Sequence, residues 1–212
     1  MSDVVLYDYW RSSASYRVRI ALNLAGIDYR AQTVDLVKGE QTAPPHLARN
    51  PQGFVPVLEI DGVQLTQSLA ILDYLDRTRH LNLLPDEPVA RAKAQALAHA
   101  IAVDLHPVCN LKVARHATQL SGGRGDMPGD WMRHFIRPGL LAFETMLAEF
   151  EQAPYCTGST PGLADLCLIP QMYNARRWRV DLSDMPRILA VEAVCTDHPA
   201  FAAAHPDAHA PG

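Results

Sequence analysis

Two periods of apolar and polar residues succeed one another along the first part of the chain, and the switches between them predict strand, helix, strand, then two strands and a helix. Val4 to Tyr9 is apolar and aromatic enough for a strand, whereas Val18, Ala21, Leu22 and Ala25 fall at i, i+3, i+4 and i+7, one face of a helix that Gly26 can close. Tyr29 to Leu36 predicts the second strand, and a unit of that length implies a parallel pair with a right-handed crossover. After the turn cluster Asn50-Pro51-Gln52-Gly53, the runs Val55 to Ile60 and Val63 to Thr66 flank Asp61-Gly62, a strong hairpin signal. Ser68 can cap the next helix, whose Ile71, Leu72 and Leu75 share a face.

The pattern changes at Leu83-Leu84-Pro85-Asp86-Glu87-Pro88, which sets the expected division: an α/β domain over 1–82, a linker over 83–90 and an all-α domain over 91–212. Helices are predicted at Ala92 to Val103, with Pro107 kinking the continuation or diverting its start near His106, and at Trp131 to Phe150, irregular around Arg137-Pro138-Gly139. Ser121 to Gly129 reads as a loop. Further helices are expected at Leu163 to Arg177, Pro186 to Cys195 and Pro199 to His205, with a loose tail of Pro, Ala and His.

The 212 residues, 48% hydrophobic and 20% charged, have ordinary globular composition, and that removes the disordered and fibrous classes. A net charge of −4 argues against nucleic acid as partner, which needs a basic stripe, so any anionic ligand must be held by local charge. No apolar run is long enough to span a membrane and no targeting segment precedes the first strand, which points to a cytoplasmic protein without a membrane partner. Cys109, Cys156, Cys167 and Cys195 form no C-x-x-C pair and lie among apolar residues, as reduced structural thiols do, and no motif calls for a metal.

Candidate chemistry concentrates at Trp10-Arg11-Ser12-Ser13-Ala14-Ser15-Tyr16-Arg17-Val18-Arg19, where the first strand gives way to the first helix. Free N–H groups and the positive end of the helix dipole meet there, so Ser12 and Ser13 either cap the helix or support a bound thiolate or phosphate. Arg17 and Arg19, further along the same helix, suit ion pairs or capping contacts.

This stretch resembles the S-S-C-x-R-V-R signature of the zeta class of the glutathione transferase superfamily, and the likeness extends over nearly the whole chain. It implies a thioredoxin-like domain followed by a helical domain that completes the substrate site. Animal members of the class carry cysteine where Ala14 stands, so any thiol chemistry must come from bound glutathione. Asn50-Pro51 to Val55-Pro56 resembles the superfamily's loop before a cis-proline, which implies that the Val55 backbone pairs with the extended peptide. Gln67-Ser68 is similar to the pair that holds the γ-glutamyl carboxylate, and Gly158 to Cys167 resembles the capping box before a buried helix, with Gly162 as cap and Asp165 structural.

Asp104 to Lys112 and Pro170 to Trp178 resemble stretches of bacterial zeta members. His106 and Asn110, at i and i+4, would share a helix face and could meet glutathione or substrate, although a lone histidine is more often structural. Arg11, and either Arg177 or Arg176, stand where class members bind carboxylates, and Lys112 where maleylpyruvate isomerases tend to carry arginine.

The activity implied is cis–trans isomerisation of a maleyl enedione, maleylacetoacetate foremost, by reversible thiolate addition, with a homodimer as the assembly. Alternatives are maleylpyruvate isomerisation, glutathione transfer to α-haloacids, and glutathione binding without turnover. Lowering an ordinary thiol pKa by roughly two units requires about 2.7 kcal/mol. A helix terminus supplies about 0.3 to 1 kcal/mol, so a hydroxyl donor is needed, Ser12 first and Ser13 second.

Overall fold

The strand-to-helix turn is positioned by a four-stranded sheet. The computed structural model describes residues 4–123, 125–151 and 154–211. Strands β1 (Val5–Asp8), β2 (Arg30–Thr33), β3 (Val57–Ile60) and β4 (Val63–Thr66) lie in the order β2-β1-β3-β4. β1 runs parallel to β2 and antiparallel to β3, and β3 and β4 form the expected hairpin. Its turn has φ of 52° at Asp61 and 78° at Gly62, the left-handed pair that two-residue hairpins require.

Helix α1 (Ser13–Leu24) ends as its sequence predicts, with Gly26 at φ 62° and Ile27 N–H bonded back to Leu22 C=O. A short α2 (Pro44–Leu47) precedes the hairpin and α3 (Ser68–Arg79) follows it. The sheet is buried on both faces of β1, where Val5, Tyr7, Tyr9, Val34, Val55 and Val57 form one apolar cluster. Leu6 and Leu58 pair on the opposite face, and Val18, Ile20, Leu22, Ile71, Leu72 and Leu75 are also excluded from solvent on α1 and α3. β2, by contrast, is an exposed edge strand, so its apolar alternation is weaker than the prediction assumed.

The second compact unit is Leu83–Asp197 and contains only helices among its described residues. No helix among the described residues is long and apolar enough to cross a membrane. Helix α4 (Pro88–His99) starts inside the expected linker, because Glu87 caps it by accepting from Val89 and Ala90 N–H while Pro88 fills the first helical position. Its continuation widens into π-type turns over Ala100–Leu105 before α5 (His106–Val108). Pro107 has no N–H to give and its ring crowds the preceding turn, which accounts for the widening.

Helices α6 (Leu111–Leu120), α7 (Met127–Leu147), α8 (Leu163–Arg177) and α9 (Pro186–Asp197) complete the unit. α7 takes in Met127-Pro128-Gly129, which the sequence assigned to a loop, and Arg124 of that loop lies outside the described residues. Gly139 admits Leu105, whose side chain would meet an added Cβ at 3.0 Å. At the start of α8, Asp165 is fully buried and accepts from Gly162 N–H at 2.8 Å and Cys156 N–H at 2.9 Å. Burial pushes its carboxyl up from the ordinary range, while these bonds pull it down. Leu83 C=O lies 3.2 Å from where a Gly162 Cβ would sit, a close approach that accounts for glycine at this cap.

The helix expected at Pro199 to His205 forms, but outside the helical domain to which the sequence assigned it, and the tail expected to be loose takes a 3-10 turn over Pro206–His209. From His198 the chain belongs to the first unit: α10 (Pro199–Ala204) is joined to α1 by Asn23 Nδ2 to Ala200 C=O and Arg19 Nε to Ala204 C=O. Buried polar partners, invisible to local patterning, hold it there. Arg19 also donates to Asp8 at 2.7 Å and to Trp10 C=O at 2.9 Å. Arg19→Leu, which strands the buried Asp8 carboxylate, is expected to cost about 3 to 5 kcal/mol in urea unfolding; a loss below about 1 kcal/mol would show that the pair does not hold this unit together.

Candidate functional site

Ser12 occupies the N-cap of α1 in extended conformation, and its Oγ accepts from Ser15 N–H at 3.2 Å. Capping and ligand support are therefore compatible. A hydroxyl oxygen that accepts from the backbone still has one hydrogen to donate, and it sits at the positive end of α1. Ser13 is the first helical residue and is buried, as is Ala14. Arg11 is half-buried: its guanidinium donates to Tyr9 Oη at 3.1 Å and lies 4.6 Å from the Trp10 ring centroid. Among the described residues it has no carboxylate partner, which leaves an aromatic-stacked cation beside the serines.

The loop before β3 is built around one carbonyl. Phe54 C=O accepts from His46 Nε2 at 2.9 Å and Asn50 Nδ2 at 3.0 Å, both side chains being buried. The Phe54–Val55 peptide is trans, so anchoring this oxygen fixes the Val55 N–H in the opposite direction. The Val55–Pro56 bond is cis, as the resemblance implied. Local sequence identified the Asn50-Pro51 turn but held no signal for His46.

At the start of α3 the cap is Gln67, not Ser68. Gln67 adopts φ 67° and ψ 112°, strained for a side chain of this kind, and its amide donates to Gln52 Oε1 at 2.7 Å. Ser68 is the first helical residue, so its hydroxyl is not spent on capping; Oγ instead accepts from Arg17 Nη1 at 3.2 Å. Neither Gln52 nor Arg17 stood among the residues expected at a ligand.

In the helical unit the structure separates several candidates. His106 begins α5, but Asn110 lies past that helix, in extended conformation, and caps α6 by accepting from Lys112 N–H at 2.9 Å. The predicted shared helix face of His106 and Asn110 is therefore absent, since α5 ends at Val108 and Asn110 opens α6. Arg176 grips Glu192 of α9 through Nε, at 2.8 Å, and through Nη2. That fork is a structural clasp between α8 and α9. Arg177, also exposed, stacks 4.9 Å from the Trp178 ring centroid.

All four cysteines are free and buried, and burial pushes Cys109 up to about 12 and Cys156 and Cys195 well above the ordinary thiol range. Burial thus disfavours the thiolate form of Cys109, Cys156 and Cys195. Ellman's reagent at pH 8 is expected to leave the native protein unmodified and to react with four thiols after unfolding in guanidinium; rapid release of one equivalent from native protein would reveal an activated cysteine.

Residues 2–77 match the model of the glutathione S-transferase N-terminal domain. The chain is 54% identical over 207 residues to maleylacetoacetate isomerase of Rhizobium meliloti, covering 97% of each chain. Among solved structures, it superposes with a TM-score of 0.93 and 38% identity on a holo maleylpyruvate isomerase described as a bacterial zeta-class glutathione S-transferase, over 96% of this chain and 97% of that one. A maleylacetoacetate isomerase from Methylobacterium extorquens AM1 with bound malonate and glutathione gives 0.91 at 40% identity, over 98% of this chain and all of the other.

Proposed function

This chain belongs to the zeta class of the glutathione S-transferase family, and from that premise we propose that it isomerises maleylacetoacetate to fumarylacetoacetate with glutathione, in the breakdown of tyrosine through homogentisate. The Ser12 turn carries the reading, because a committed hydroxyl oxygen, a remaining hydrogen and a helix N-terminus converge there while the chain's own thiols are buried. The residues fit the tripeptide: the Val55 N–H has a fixed direction, Gln67 is held by Gln52, and the Ser68 hydroxyl is not spent on its helix.

Bound glutathione supplies a thiol whose reversible addition lets the double bond rotate. Ser12 holds that sulfur as a thiolate by donating its hydroxyl hydrogen, with Ser13 as second donor. A bond to a charged group is worth about 1.5 to 3 kcal/mol, which added to the dipole reaches the roughly 2.7 kcal/mol that two pKa units require. Val55, Gln67 and Ser68 hold the tripeptide backbone and γ-glutamyl end, and His106 also serves the bound ligands. Asn110 is assigned first to capping α6 and Arg176 to Glu192; the substrate carboxylates are assigned to Arg11 and Arg177 on the class resemblance. The proposal extends to a cytoplasmic homodimer, the compartment and assembly that the class resemblance carries.

Purified protein should convert maleylacetoacetate only with glutathione present, read as absorbance lost when fumarylacetoacetate hydrolase is added, and faster than it converts maleylpyruvate. The reverse preference would move the assignment to maleylpyruvate, and inactivity on both would overturn it. Arg177→Ala is expected to lower kcat/KM about 10- to 100-fold and Arg176→Ala to leave it within about threefold while lowering stability; the opposite ranking would exchange their roles. Ser12→Ala should raise the bound thiol's pKa more than Ser13→Ala, followed by thiolate absorbance against pH, and equal shifts would remove Ser12 from its role.

A further inference from the structure

We infer that Arg17 is a positioning residue for glutathione, acting through Ser68: its guanidinium occupies the Ser68 oxygen and thereby turns the one hydroxyl hydrogen toward the γ-glutamyl α-carboxylate. The inference rests on the glutathione reading above. Its structural basis is a contact across 51 positions of sequence, between side chains that are 1% and 6% exposed, in which Arg17 Nη1 donates to Ser68 Oγ at 3.2 Å. A guanidinium can only donate, so Ser68 is the acceptor here without ambiguity. A serine hydroxyl has one hydrogen and no other way to donate. Left alone at the start of a helix, that hydroxyl is free to turn its hydrogen back onto a backbone carbonyl or to serve as a cap acceptor. The structure removes the second use, since Gln67 takes the cap position, and Arg17 fills one side of the oxygen from within the fold, which leaves the hydrogen to point away from the guanidinium.

The arrangement is an oriented donor rather than an adaptable one, and orientation matters because a ligand that finds its partner preset does not lose affinity to reorganising it. It also discriminates. A hydroxyl obliged to donate suits a carboxylate and leaves an unmet donor against a ligand that lacks one. Ser12 has the same polarity for a different reason, its oxygen being taken by the Ser15 N–H, so the two serines at the starts of α1 and α3 are both set as donors.

The test compares glutathione with 4-aminobutyryl-cysteinyl-glycine, which lacks only the α-carboxylate of the γ-glutamyl residue, by titration calorimetry on the full chain. Wild type should bind glutathione more tightly than the analogue. Arg17→Gln should weaken glutathione about tenfold, the low end for a charge-assisted hydrogen bond, and leave the analogue unchanged. Ser68→Ala should give the same selective loss, and the double variant should lose no more than either single one. Arg17→Lys, which keeps a cationic donor in the same place, should recover part of the difference and serves as the second variant where Arg17→Gln does not fold. Equal weakening of both ligands, or losses that add in the double variant, would overturn the role of Arg17 while leaving glutathione binding intact. A wild type that binds neither ligand would overturn the glutathione reading and this inference together.

Discussion

Arg19, wholly excluded from solvent, ties three separate parts of the chain to one helix. Nη1 holds the Asp8 carboxylate at the end of β1, Nη2 the Trp10 carbonyl in the turn, and Nε the Ala204 carbonyl of α10. Taking a guanidinium out of water costs several kcal/mol, and only good geometry with every direction satisfied offsets that. Acceptors at 2.7 to 3.0 Å engage all three guanidinium nitrogens, while the second Asp8 oxygen, Oδ1, has no hydrogen-bond partner among the described residues. The consequence is positional: the strand end, the turn carrying Arg11 and Ser12, and the helix that Ser12 caps are held in one frame, with the C-terminal segment closing over it.

Within that frame, the proposed site depends on the polarity of hydrogen bonds more than on their number. Ser12 and Ser68 each stand at the start of a helix and each has its oxygen filled by a protein donor. The Phe54 carbonyl is likewise filled, by His46 and Asn50, which settles the direction of the Val55 N–H. In the proposed site the donors are thus preset by neighbouring protein groups. Gln67 shows the local cost: a non-glycine residue at φ 67° is strained by about 1 to 3 kcal/mol and needs its neighbours, Gln52 among them, to keep it there.

The helical unit uses similar residues for a different end. Asn110 spends its side chain on capping α6, Arg176 spends its fork on Glu192, and Asp165 satisfies two backbone N–H groups at the head of α8. Such groups are chemically indistinguishable from ligand-binding ones in a sequence. What separates them is whether the fold supplies a partner, from the residue's own helix start as for Asn110 and Asp165 or from a neighbouring helix as for Arg176.

The order of strands and helices along the first unit was legible because its cues are local: the apolar runs of β1 and β3, the Asp61-Gly62 turn, and the 3.6-residue period of α1 closed by Gly26; how β1 comes to lie between β2 and β3 was not. The burial of the cysteines was legible from their apolar neighbours, and the Gly162 and Asp165 cap through the resemblance of its segment to the family's capping box. Helix starts at Pro88 and Met127 were missed because proline, read as a breaker, is also a good first-turn residue. The chain by itself determined the order of elements, the turn chemistry and the polar groups available at the Ser12 turn. Only the tertiary structure decided which look-alike arginine does what: Arg17 meets Ser68, Arg19 meets Asp8 and Ala204, and Arg176 meets Glu192. Those partners lie up to 185 positions away, and a side chain's partner is set by what distant segment packs against it, which no local period records.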